Sequence, residues 1–492
     1  MRAHWAIVLG GIAAFCAMTA AHASVEISSA PTSNMTCSAG VCAPTAKKAV
    51  LNATDLANML ATSDVKVTTG SGAVTITVAS SFSWTSASRL TLDAAQNVSF
   101  QAEVTVAGPG AVTIADNGGG SSGQLIFSET GKLDFWNLTS NLIINGSAYV
   151  LVDDVATLAS GIAAAPSGTF ALARDYDAGP DGKHKGAAIV TPLDGTFDGL
   201  GHKISHLRMG DHPCDRSRIG MFSNIDQSGT VRDLHLGNVA VSTSRPQVVG
   251  GIAGWNSGTI ANVWVSGSIR TVSGMTRHCQ GGMAGGVAGV SDYTGTIVNA
   301  HSSAKVGVGF FNEYPDSAAG GLAGIANNVD LSSATGFVDA PGARLAGGLL
   351  GAGDTVMRSF ATGDANAGAF AAGGLVGQGD NISNSYALGS SGSQDCTGGF
   401  AGGGGNITNS YSTGQSGGGF LGCSSGGNTN DYWDIDTSLT ATGCVSGDCS
   451  GVTGLTDEQL KSALPPGFDK TIWGRKKSIN NGYPYLLANP PQ

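Results

Sequence analysis

Between residues 250 and 432 the chain repeats a two-part signal, and the repeat shortens as it proceeds. A glycine pair, an apolar residue, a small or apolar residue and another glycine occur as Gly250-Gly251-Ile252-Ala253-Gly254, then again from Gly285, Gly320, Gly347, Gly373, Gly398 and Gly418. These starts are 35, 35, 27, 26, 25 and 20 residues apart. A second signal follows each, clearest in Ile382-Ser383-Asn384-Ser385-Tyr386 and Ile407-Thr408-Asn409-Ser410-Tyr411. From the glycine pair to the Asn position the interval is 12, 14, 11, 11, 11, 11 and 12 residues, whereas the rest of the repeat falls from 23 to 9. A part that holds register beside a part that tolerates insertion marks a solenoid.

The pieces between turns make it a β-solenoid. They run three to six residues, are rich in Val, Ile, Thr and aromatics, and are bounded by Gly, Asn, Ser and Asp. The expectation is an all-β parallel β-helix with equivalent residues about 4.8 Å apart in successive coils. Gly is expected at positive-φ corners, with Asn as an alternative whose amide also reaches the next coil. One position forms a column of Trp264, His301, Ser333, Phe360, Tyr386, Tyr411 and Tyr432. It is read as rings stacked between coils in preference to a carbohydrate-binding strip. Leu331 and Arg358 interrupt the Asn column.

Composition removes the main alternatives. Only 12% of residues are charged and 76 of 492 are Gly, which invites a disordered reading, yet 41% hydrophobic content in short runs suffices for a core. A net charge of −10 with scattered Lys and Arg offers no basic track, so no nucleic-acid partner is expected. Arg2 and His4, the apolar stretch from Ala6 to Ala20 and Ala21-His22-Ala23 read as a signal peptide over 1–23 cleaved before Ser24. Phe15 before Cys16 argues against a lipoprotein site, and no later apolar run is long enough for a membrane span. Eight cysteines remain after residue 23, and short loops favour Cys37/Cys42, Cys214/Cys279, Cys396/Cys423 and Cys444/Cys449 among the 105 possible connectivities.

The glycine-pair signal followed by Ile-x-Asn-Ser-Tyr resembles the GLUG motif of bacterial exoproteins. Gly195-Thr196-Phe197-Asp198-Gly199-Leu200-Gly201-His202-Lys203-Ile204 resembles the rung that precedes such repeats. Ile76 to Leu92, Leu142 to Leu151 and Phe170 to Asp177 resemble filamentous-haemagglutinin-type passengers. The resemblance spans roughly residues 50 to 490 and implies a right-handed parallel β-helix, secretion and adhesion. Two departures concern export: there is no Asn-Pro-Asn-Leu-type segment, and Asn489-Pro490-Pro491-Gln492 is neither a barrel nor a sortase signal. The expected divisions are 24–50 as an N-terminal leader or cap with Cys37 and Cys42, 51–190 as a first β-helix segment, 191–440 as the repeat β-helix and 441–492 as a C-terminal cap. In the cap, Thr456 or Asp457 is expected to start a short helix.

Searches for chemistry yield little. With five Glu in the chain, none after a His, a His-Glu-x-x-His zinc motif does not occur. His202, His206 and His212 with Cys214 form the one His-dense stretch, but an extended chain holds His202 and His206 about 13 Å apart. Gly-x-Ser-x-Gly occurs at Ser121, Ser416 and Ser424 within Gly/Ser tracts that no helix follows, so these matches are read as chance. Asp354 and Asp380 each lie seven residues after a glycine pair and should stack one coil apart, as a glycosidase pair, as joint ligands of a calcium ion, or as turn residues capping their own backbone. Asp175, Asp177 and Asp181 supply calcium-type ligands without EF-hand spacing. The resulting expectation is an exported adhesin-type scaffold without catalytic activity or cofactor, binding host or matrix glycan or protein through roughly residues 265 to 320. The alternative is a polysaccharide lyase or glycoside hydrolase on the same fold.

Overall fold

The computed structural model describes residues 24–70, 73–116, 123–210, 218–275, 280–310 and 317–491. Almost every strand pairs in parallel with its equivalent in the next coil, so the fold is a parallel β-helix. Two hydrophobic cores divide it, one over the first coils and one from Val152 to Cys444.

The first segment makes three-sided coils. Thr75–Val78, Asn97–Phe100 and Leu125–Phe127 lie on one side, Phe82–Trp84, Glu103–Val106 and Lys132–Phe135 on the second, Arg89–Asp93, Ala111–Ala115 and Asn141–Ile144 on the third. Alternation turns Ile76, Val78, Val98 and Phe100 inward. Ser24–Ser28 pairs in parallel with both Lys48–Asn52 and Thr75–Val78, while the Met35–Ser38 and Val41–Pro44 hairpin, closed by Cys37–Cys42, pairs with Val65–Thr68, so the start of the chain is paired into the first coils. The chain then reverses: Asn141–Ile144 and Ser147–Val152 form an antiparallel hairpin through Asn145 and Gly146, both at positive φ as a two-residue turn requires. The structural break therefore falls near 145, ahead of residue 190.

In the second segment the glycine pairs define the register. Gly250 pairs with Gly285, and the series continues through Gly320, Gly347, Gly373 and Gly398 to Gly418, so the sequence spacings are the coil lengths. These glycines are needed for close approach, not for backbone angle, because none has positive φ. A Cβ on Gly373 would sit 2.0 Å from the Val376 carbonyl and 2.7 Å from Ala401 Cα. The positive-φ corner belongs to the Asn position: Asn262, Asn299, Leu331, Arg358, Asn384, Asn409 and Asn430 are all left-handed.

Each letter of Asn-Ser-Tyr has a separate task. Asn amides reach between coils, Asn262 to Asp233 at 3.0 Å and Asn299 to Asn262 at 2.9 Å. Where Arg358 stands in the column, its guanidinium pairs with Asp330 instead. The Ser position builds a buried ladder in which the amides of Ser332, Ser359 and Ser385 donate to the hydroxyls of Ser359, Ser385 and Ser410. The ladder ends on Asp431, which accepts from the Ser410 amide at 3.0 Å. The aromatic residue faces outward, as alternation with the inward Ala361 and Ala387 dictates.

The solenoid runs past residue 440. Cys444–Asp448 and Val452–Leu455 pair in parallel with the preceding coil, and only then does the cap begin. Its helix Asp457–Ser462 starts at Thr456, whose hydroxyl accepts from the Gln459 amide while the Gln459 side chain accepts from the Thr456 amide. Leu460, Phe468, Trp473, Tyr483 and Leu486 pack on Phe360, Tyr386, Tyr411 and Tyr432. The cap thus lies along the flank of the last coils, where it buries the aromatic column.

Disulfides join Cys37–Cys42, Cys396–Cys423 and Cys444–Cys449, three of the expected pairings. Cys214 and Cys279 lie outside the described residues.

Candidate functional site

The outer column is continuous over the repeat. Strand pairing sets Lys203 beside His235, then Trp264, His301, Ser333, Phe360, Tyr386, Tyr411 and Tyr432 in succession. His235 stacks on Trp264 with centroids 4.5 Å apart, and His301 lies tilted by 30° against the Trp264 ring at 5.4 Å. Phe360 and Tyr386 stack at 4.7 Å and Tyr386 and Tyr411 at 5.2 Å. Ser333 divides these two stacks. Sequence reasoning missed His235, whose signal was the Leu234-His235-Leu236 alternation 29 residues before Trp264.

The lower stack is sealed. Trp473 lies tilted against both Tyr386 and Tyr411, and the Tyr411 and Tyr432 hydroxyls donate to the Pro484 and Pro466 carbonyls at 2.7 and 2.8 Å. Asn489 bonds the Ser332 and Arg358 carbonyls, so the cap reaches the Ser333 coil and stops there.

The upper stack lines a groove of about 270 Å³, with Lys203 at one end, Phe360 at the other and Ser303 and Thr335 at its side. Burial pushes the His301 imidazole down to about 4, so it is neutral at pH 7. Its Nε2 faces Asn299 Oδ1 at 3.1 Å, an acceptor, so that nitrogen carries the proton and Nδ1 accepts from the Ser333 hydroxyl at 2.8 Å. Burial also lowers the His235 imidazole. Trp264, Val265, Ser266 and His301 to Ser303 fall in or beside the 265–320 stretch expected to bind.

A second polar cluster joins the two solenoid segments. Asp175 accepts from Lys132 Nζ at 2.9 Å, the Lys203 amide at 3.0 Å and His202 Nδ1 at 3.2 Å, while the fully buried His202 directs Nε2 at the Leu133 carbonyl, 2.9 Å away. Burial works to raise the Asp175 carboxyl, but the His202 and Lys132 hydrogen bonds outweigh it and hold it well below the carboxylate range. Asp134 beside it is pushed up to about 6, by burial first and then by Glu103. The neighbouring Asp134 in turn holds the Glu103 carboxyl low. Glu103, Lys132 and Asp134 come from the first segment and Asp175 and His202 from the second.

The other candidates are placed apart. Asp354 and Asp380 lie exposed on adjacent coils, beside the paired Gly353 and Gly379. Each bonds the following coil and not its own turn: Asp354 accepts from Asn381 Nδ2 at 3.0 Å and Asp380 from the Gly405 amide at 3.2 Å. The calcium loop is not assembled, because its three carboxylates take different donors. Asp175 is engaged as above, Asp177 accepts from His206 and the Gly179 amide, and Asp181 accepts from the Tyr176 hydroxyl. Among the described residues no group of three or more His, Cys, Asp or Glu is placed to hold a metal ion. The Ser416 and Ser424 hydroxyls donate to the Gly418 and Asp448 carbonyls; Ser121, His212 and Cys214 lie outside the described residues.

No family model matches the chain. A segment of 90 residues, 18% of this chain, is 34% identical to halomucin of Haloquadratum walsbyi, and the match spans about 1% of that protein's length. Among solved structures, a Bacteroides ovatus protein provisionally named an immunoglobulin A1 protease matches at 20% identity with a TM-score of 0.37, covering 70% of this chain and 92% of that one.

Proposed function

We propose that this protein is an exported, adhesin-type β-solenoid that binds its partner on the outer face and catalyses no reaction. The observation that carries the reading is the outer column, sealed by the cap from Phe360 downward and left as a groove above it. Its partner is a surface or matrix glycan or protein. Three disulfides suit an oxidising compartment, and among the described residues no helix is long and apolar enough to cross a membrane. The purified chain, tested on immobilised glycans and matrix proteins beside a polysaccharide-degradation screen, should bind without releasing new chain ends. Cleavage in that screen would replace this reading.

The raised Asp134 carboxyl beside the lowered Glu103 carboxyl favours a second reading, polysaccharide cleavage by general acid–base chemistry. Under it, Glu103→Gln and Asp134→Asn would each abolish cleavage while the chain stays folded. As a seam between the two segments, the same cluster would instead register both substitutions as lost thermal stability.

A further inference from the structure

Resting on the binding-protein reading, we propose that the groove over His235, Trp264 and His301 is a site for an acidic saccharide, with Lys203 pairing its carboxylate. From Lys203 to Phe360 the column spans five coil steps, roughly 24 Å at the strand spacing, long enough for an extended oligomer.

Trp264 has both ring faces occupied, by His235 and His301, so only its edge meets a ligand. Recognition therefore falls on the indole Nε1–H, for which no described residue provides a hydrogen-bond partner, in contrast to Trp84, Trp255, Trp433 and Trp473. The Lys203 ammonium lies over Gly237, and among the described residues no carboxylate pairs with it. Asp175, one coil above, is engaged by Lys132 and His202.

Among the described residues no carboxylate lines the groove and Lys203 is its one formal charge; burial holds both imidazoles below their usual range, with Asp175 and Glu129 acting on His235 from nearby. A neutral ligand would leave that charge and the free indole donor unmatched, whereas a uronate supplies acceptors to both. The alternation of ring edges with Ser303 and Thr335 hydroxyls suits the mixed C–H and O–H surface of a sugar.

The test is calorimetric titration of the full exported chain with tetramers of galacturonate, glucuronate and mannuronate, against neutral galactose and glucose tetramers and a tetraglutamate peptide. At least one uronate tetramer should bind ten-fold or more tighter than the neutral sugars and the peptide. Lys203→Met should erase most of that preference. Trp264→Phe, which keeps the stack but removes the N–H, should weaken uronate binding several-fold at unchanged melting temperature. Equal affinity for uronate and neutral tetramers, preference for tetraglutamate, or unaltered uronate binding in Lys203→Met would each overturn the proposal. Binding to matrix surfaces that no saccharide competes would overturn it while leaving the binding-protein reading intact; no binding to any surface would remove both.

Discussion

From Gly250 onward, Leu331 occupies a corner that every other coil gives to Asn or, at Arg358, to a residue paired with Asp330. Its φ of 51° places a γ-branched side chain where only Gly and Asn sit easily, at a cost of about 1–2 kcal/mol. Leu331→Asn should therefore stabilise the protein by about 1 kcal/mol in chemical denaturation. Asp431 carries the opposite kind of strain. It ends the serine ladder buried without a cation, and burial raises its carboxyl to about 8, against amide hydrogen bonds that favour the ionised form. A carboxyl raised on folding contributes stability that is whole below its unfolded value near 4 and is lost as pH rises toward 8. Asp431→Asn should match the parent at pH 4 and melt higher at pH 8, and equal melting at both would show that the carboxylate is well accommodated.

At the scale of the coil, the glycine pair sets how closely adjacent elements approach. Gly373→Ala presses a methyl group into the backbone of its own turn and of the next coil, whereas Gly403 has only the Cys423 carbonyl near, at 3.8 Å. The first substitution should cost on the order of 2–3 kcal/mol and the second well under half of that, as thermal or urea denaturation would measure. The glycines were legible as repeat markers because every coil places the same demand on the same position. Their cause was not: positive φ was the expectation, and close packing between coils is the finding, a distance that no local window of sequence encodes. The Asp175, Asp177 and Asp181 loop shows the same limit, since its spacing suggested one ion while His202 and His206, nearly 30 residues away, engage Asp175 and Asp177 and the nearby Tyr176 engages Asp181.

Across the whole molecule, the cap decides which part of the aromatic column meets solvent. Removing residues 456–492 would uncover Phe360, Tyr386, Tyr411 and Tyr432, a contiguous apolar strip. The truncated chain should keep its β-type circular dichroism, bind a hydrophobic dye and self-associate with concentration in light scattering. A monomeric, dye-silent truncation would show that the column needs no cover. The polar seam of Glu103, Asp134, Asp175 and His202 is likewise a whole-molecule feature, gathered from coils of two segments.

The sequence by itself determined the coil register from Gly250 to Gly418, the Asn corners, the stacking order of the aromatic column and three cysteine pairings. Each is repeated or short in range, so selection for one packed coil wrote it again in the next. Only the tertiary structure decided that the chain reverses at Asn145–Gly146, that the cap lies along the flank and ends at the Ser333 coil, and that the rings above form a groove. Those outcomes depend on where distant apolar surface finds its best cover, and that free energy belongs to the assembled solenoid and to no segment of it.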